Sequence, residues 1–307
     1  MKRALLCLAA LSVSVPSWTA DVWAADYIPR TENERAFAQI LEEHQSYNER
    51  LQDVAAPLFK ANARLCPRTR RDIGMTVHTI SDYQPSLQPF AEVLMGATDR
   101  LSVRTIRKDS PADNAGLRVG DKIIGINGAY MPGGFTVQRF FKVATQNAFK
   151  QDSTELKVMR GDKRIDVEVS PETICDYPAN VFFNEKINGH TDGEQIIITS
   201  ELMKTVPDDV NLALIIAHEM SHAIKGHQRK EKALELKADR MALVLMSNAG
   251  YDIDRAISYW RDTSHPHAEY QSTSKTHPTI DERYENFRKE QARIEKLKTA
   301  GKTIRFN

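Results

Sequence analysis

The sequence predicts an α+β protein on three observations. Apolar residues recur at helical spacing towards both ends of the chain, strand alternation with glycine turns replaces that period between about residues 70 and 170, and two cysteines bracket the change. The expected architecture is mainly helical with a small β-sheet, plus a β-rich module inserted towards the N-terminal side. A length of 307 residues allows two domains, and 41% hydrophobic residues can bury a sizeable core. With 42 basic against 41 acidic residues, the net charge of +1 gives no reason to expect a nucleic-acid partner.

Met1-Lys2-Arg3 leads into an apolar stretch from Ala4 to Val15, then Pro16 and small residues. This is the layout of a secretory signal, too short to span a bilayer comfortably, with cleavage expected after Ala24 and residues 1–24 removed. An uncleaved anchor is the alternative. Cys7 lies in this stretch without a lipoprotein-type context, and no later segment is long and apolar enough to cross a membrane. The mature chain is therefore expected in the bacterial periplasm, soluble and without a transmembrane segment. Cys66 and Cys175 remain, and an even pair in an exported chain predicts a disulfide.

Over residues 31–65, Phe37, Ile40, Leu41, Tyr47, Leu51, Val54 and Leu58 keep a helical period, with Pro57 as the place for a kink. This helix, residues 25–66, is expected to belong with residues 175–307, and residues 67–174 to form the insertion whose feet the disulfide pins. Within the insertion Ser110 can cap a short helix begun by Pro111, Gly116 can take the left-handed position after it, and Leu117 can pack back. Lys122 to Ile126 then reads as a strand, and Asn127-Gly128 as a hairpin turn.

These residues resemble a PDZ domain of the bacterial, protease-associated kind over about 70 to 172. The resemblance implies that an extended peptide is taken up as an extra strand, often with its C-terminal carboxylate held by backbone N–H groups. The best candidate loop is Arg71-Asp72-Ile73-Gly74-Met75, which makes Gly74 and Met75 candidate peptide contacts. A groove that is unused or intramolecular is the alternative.

After Cys175, residues 181–184 and 195–199 are short strand candidates joined by a loop that holds His190. The apolar run 212–217 then continues into His218-Glu219-Met220-Ser221-His222. At i and i+4 both imidazoles leave one helix face about a turn apart, the geometry of two zinc ligands. Glu219, about 100° round the helix, can reach a water rather than the ion and suits a general base. A core helix with two satisfied histidines is the alternative. Lys225 and Gln228 stand where a glycine and a third histidine would extend the motif, so a carboxylate from a second helix is required. If the chain reverses near Gln228-Arg229, Glu235 and His222 both lie about 10 Å below the bend and come level. Asp239, one turn on, could accept the free N–H of a ligand histidine. His227 lies about 180° from His218 on the helix wheel and is expected to be exposed.

The order His218-Glu219-Met220-Ser221-His222, Glu235 to Asp239, then Ser274-Lys275-Thr276-His277-Pro278 with Arg283 resembles the gluzincin metallopeptidase family of HtpX, BepA and the type I CAAX prenyl protease. It implies one zinc ion on His218, His222 and Glu235, with Asp239 and Arg283 behind the ligands. It also implies His277 near the site, stabilising the oxyanion or capping the ion. Peptidases of this kind bind substrate along an edge strand, for which residues 195–199, with Ile197, are the candidate, and a plain core hairpin is the alternative. Residues 252–262 and 281–298 complete the expected helices, and His265 and His267 are read as solvated.

The resulting expectation is a periplasmic zinc endopeptidase whose PDZ domain recruits polypeptides, unfolded chains or exposed C-termini, in envelope quality control. A catalytically silent or autoinhibited peptide-binding adaptor is the rival, and an exopeptidase is disfavoured because no terminal-amine anchor is evident.

Overall fold

The computed structural model describes residues 29–227, 229, 231–262 and 278–306. The expected signal segment, His265, His267 and His277 lie outside the described residues. The first helix, α1 (Glu32–Ala61), starts at a reciprocal cap: Thr31 Oγ1 accepts the Glu34 N–H at 3.2 Å, and the Glu34 carboxylate accepts the Thr31 N–H at 3.1 Å. It runs through Pro57 as one helix.

Strand β1 (Thr69–Asp72) begins the inserted module and pairs antiparallel with β8 (Glu172–Cys175), which ends it. Cys66 and Cys175 are joined as a disulfide with Cα atoms 5.6 Å apart. Between these feet lie β2 (Met75–His78), α2 (Gln88–Met95), β3 (Ser102–Ile106), α3 (Pro111–Asn114), β4 (Lys122–Ile126), β5 (Ala129–Tyr130), α4 (Val137–Ala148), β6 (Thr154–Arg160) and β7 (Lys163–Val169). The sheet order is β2-β3-β4-β6-β7 with β5 on β4. Leu101, Val103, Ile123, Leu156 and Val158 fill a core of its own. The Ser110 cap and the Asn127-Gly128 turn form as expected, with Asp113 N–H on Ser110 Oγ at 3.2 Å and φ values of 44° and 80° at the turn.

The rest of the chain is mainly helical. Strands β9 (Ala179–Phe182), β10 (Gly189–Thr191) and β11 (Ile196–Thr199) form a small sheet in the order β10-β11-β9. Then come α5 (Ser200–Thr205), α6 (Asp209–Lys225), α7 (Lys232–Asn248), α8 (Ile253–Asp262) and α9 (Ile280–Thr299). Leu51, Val54, Leu58 and Phe59 of α1 join this second core, while Leu41 packs with Tyr83, Ala91 and Ala97 of the inserted module. Helix α1 therefore serves both units. Arg50 ties it to the approach to α6, donating to Met203 O at 3.0 Å and Val206 O at 2.7 Å and pairing with Asp209 at 2.7 Å.

One strand expectation is corrected. The residues 195–199 were read as an open edge, yet β11 is the central strand: Ile197 pairs with His190 on one side and Asn180 on the other. The edge beside α6 is β10, formed from the segment read as a connecting loop.

Candidate metal centre

Helix α6 begins where the Asp208 carboxylate accepts the N–H groups of Val210 and Asn211 at 3.0 and 3.2 Å. Leu212 to Ala217 are all buried, so this helix crosses the core and delivers His218, Glu219 and His222 at its far end. There Gly226, at φ 63°, takes the left-handed position after the last turn. The chain reverses into α7, which runs back beside α6 and brings Glu235 level with the two histidines.

Three side chains converge. His218 Nε2 and His222 Nε2 are 3.1 Å apart, and the two Glu235 oxygens lie 3.3 Å from the first and 3.5 Å from the second. One ligand atom from each lies within 4.8 Å of the others. Behind them His218 Nδ1 is 2.9 Å from Asp239 Oδ1. With that N–H donated to Asp239, the Nε2 lone pair is left facing Glu235. Asp239, 1% exposed, is in turn gripped by Arg283, whose Nε donates to Oδ2 at 2.9 Å and whose Nη2 donates to Oδ1. The Arg283 guanidinium lies 4.3 Å over the Trp260 ring. Helix α9 is held in register for this by Asn286, which donates to Leu236 O at 2.8 Å.

The electrostatics favour a cation at the convergence point. Burial by itself would lower the His218 pKa, but Asp239 and Glu235 outweigh it and push it up to about 9. Burial would raise Glu235, and the hydrogen bonds from His218 and His222 instead hold it far below the usual carboxylate range. Asp239 is likewise held down, with Arg283 overcoming its burial. Two imidazoles and one carboxylate are a donor set that suits a zinc-type ion. Glu219 has the opposite shift: burial raises its carboxyl, opposed by His218 and His222 and aided by Glu235.

Two histidines fall elsewhere than expected. His227 is half-buried rather than exposed, because the Gly226 turn ends the helix wheel before it. Its N–H donates to His222 O at 3.1 Å, and its Nδ1 lies 3.1 Å from His222 Nδ1. The signal for this was the glycine immediately before it. His190, read as a loop residue, sits on β10 with its charge close enough to bear on Glu219. Gly189 beside it lets β10 lie tightly on α6, since a Cβ there would stand 3.1 Å from Ile215 Cγ2. Gly189, Leu202, Leu214 and Ile215 line a recess that opens beside His218 and Glu219.

Comparison with known proteins follows this division of the chain. The model of the PDZ domain matches residues 72–170, and that of Peptidase family M48 matches residues 166–234 and 228–291. No curated protein matches the chain significantly. Among solved structures, the HtrA3 PDZ domain bound to a phage-derived ligand is 22% identical, with 35% of this chain and 91% of that one covered and a TM-score of 0.25. The HtrA-type protease AlgW with a decapeptide is 21% identical over 34% of this chain and 30% of its own, at a TM-score of 0.26. The PDZ domain of EpsC from Vibrio cholerae is 18% identical over 32% of this chain and 94% of its own, at 0.21.

Proposed function

For a chain that joins a PDZ domain to a domain of peptidase family M48, we propose a zinc-dependent endopeptidase acting on polypeptides. The observation that carries this reading is the convergence of His218, His222 and Glu235 from two antiparallel helices, with Glu219 beside them. When bound, the ion supplies a Lewis acid that polarises the scissile carbonyl and makes water acidic. His218, His222 and Glu235 would hold it, and Asp239 with Arg283 keeps His218 in the tautomer that can ligate.

Glu219 acts as the proton carrier. Its carboxyl, raised by burial, accepts a proton from the attacking water and returns it to the leaving amine. The edge of β10 that no described strand pairs with offers backbone N–H and C=O groups to an extended substrate, and the recess beside His218 receives a side chain. His277 keeps the role the family resemblance implies, on the oxyanion or over the ion.

The PDZ domain, inserted between α1 and β9, recruits or positions the polypeptide through β2 and α4, with Gly74 and Met75 at the head of the groove. Export to the periplasm is supported by the disulfide, which persists in oxidising compartments. Protein quality control in the envelope is the setting that a recruiting domain and an endopeptidase together fit. In Glu219→Gln, bound zinc should stay at one ion per chain while hydrolysis of an unfolded test protein falls by at least about 100-fold. Cleavage at the unsubstituted rate would refute the role of Glu219, and absence of zinc from the purified protein would refute the metal site.

A further inference from the structure

We propose that the PDZ groove docks an internal extended segment of a polypeptide rather than a free C-terminus, because the Asp72 carboxylate already occupies the Gly74 amide at the head of the groove. This rests on the reading of the groove as a polypeptide-binding surface.

A chain end is recognised when its carboxylate accepts backbone N–H groups of the loop before the receiving strand. Here that loop is Ile73-Gly74, between β1 and β2, and the Gly74 N–H donates to Asp72 Oδ2 at 3.0 Å. Asp72 is held in place by Arg107, whose Nη1 stands 3.4 Å from Oδ2, and by Arg70, 3.6 Å from Oδ1. Arg107 also pairs with Glu172 and Arg70 with Asp176, so the two cations that hold Asp72 are themselves engaged with further protein carboxylates, while Arg71 of the loop donates to Pro171 O. An incoming terminal carboxylate would have to displace Asp72 from the amide and then sit beside a like charge. An internal segment brings no charge to that point.

The shape of the cleft agrees. Among the described residues strand β2 pairs with β3 alone, and its other edge takes no strand from them. Met75, Phe141 and Thr145 line the groove between β2 and α4, and the same cleft, about 990 Å³, continues past the loop along the β1–β8 feet to Asp176 and Glu194. Its far end reaches the turn between β10 and β11, so a segment passing through is led towards the strand that flanks Glu219.

The test uses the full chain carrying Glu219→Gln, so that binding is read without turnover. Peptides tiled along β-casein, each made as the free acid and as the C-terminal amide, are titrated by fluorescence polarisation. For the tightest binders, acid and amide should agree within about twofold, and a Gly-Ser extension of the C-terminus should not weaken them. Asp72→Asn should shift the preference towards the free acid. Thr145→Arg, on the groove wall, should weaken both forms about tenfold or more, with an unchanged unfolding midpoint. A free acid binding more than about tenfold tighter than its amide in the Asp72-containing chain would overturn the inference while leaving the groove a peptide site. Failure of every peptide to bind, or binding indifferent to Thr145→Arg, would overturn the groove reading itself and the inference with it.

Discussion

At the scale of single residues, the centre is a short relay: Arg283 holds Asp239, Asp239 holds His218, and His218 faces Glu235. Asp239 and Arg283 are almost fully buried, 1% and 3% exposed, so each serves as the other's buried counter-charge. Replacing one member of such a pair leaves an unpaired buried charge, and Arg283→Met should destabilise the fold by about 3–5 kcal/mol, read by denaturant unfolding. On the other side, ligation through His222 Nε2 leaves the proton on Nδ1, and His227 Nδ1, 3.1 Å away, is placed to accept that N–H and orient the ring. His227→Ala should therefore weaken zinc binding by about 10–100-fold in a competition titration with a chelating dye, without loss of helical signal. An unchanged zinc affinity would reduce His227 to a packing residue.

At the scale of elements, α1 is one continuous helix that packs against both units. Arg104 of β3 donates to the Gln45 Oε1 at 3.0 Å, and its Nη2 donates to His44 Nδ1 at 3.0 Å, which leaves His44 Nε2 to donate to Val181 O at 3.4 Å. Both His44 and the buried His78 are held down, first by burial and then by the Arg104 charge, to about 4 and about 3. Between pH 6.5 and pH 3 the unfolded chain thus binds a proton at His78 that the folded chain refuses. The stability contributed by neutral His78 is complete above pH 6.5 and is lost as the pH falls towards 3. This one group should remove about 2 kcal/mol between pH 6.5 and pH 5, and His78→Phe should unfold with a correspondingly shallower acid dependence. Equal pH slopes for the two proteins would contradict it.

At the scale of the molecule, two hydrophobic cores share one chain, and the inserted module leaves and re-enters the helical part through β1 and β8. The Cys66–Cys175 bridge, spanning a sequence separation of 109, closes the module at these feet. In the chain-entropy account a loop of that length is worth about 4–5 kcal/mol, through restriction of the unfolded chain. Cys66→Ser with Cys175→Ser should lower the unfolding free energy by that order. A double variant as stable as the parent would mean that β1–β8 pairing and α1 packing suffice to hold the feet together.

What could be read directly from the sequence was what depends on neighbours a few residues apart. The period of α6 set His218 and His222 on one face, and the capping residue Ser110 marked a helix start that the structure keeps. The rise of an antiparallel pair even brought Glu235 and Asp239 to the right level, because the link between α6 and α7 is short. Tertiary structure alone decided the order β10-β11-β9, which moved the open edge from Ile197 to the strand carrying His190. It also set His227 against His222 and Asp72 on the Gly74 amide. The physical reason is the same in each case. Helical phase and capping are fixed by hydrogen bonds of three or four residues' reach, whereas which strand edge stays unpaired, and which polar group satisfies a loop amide, depend on partners brought together only when the chain packs.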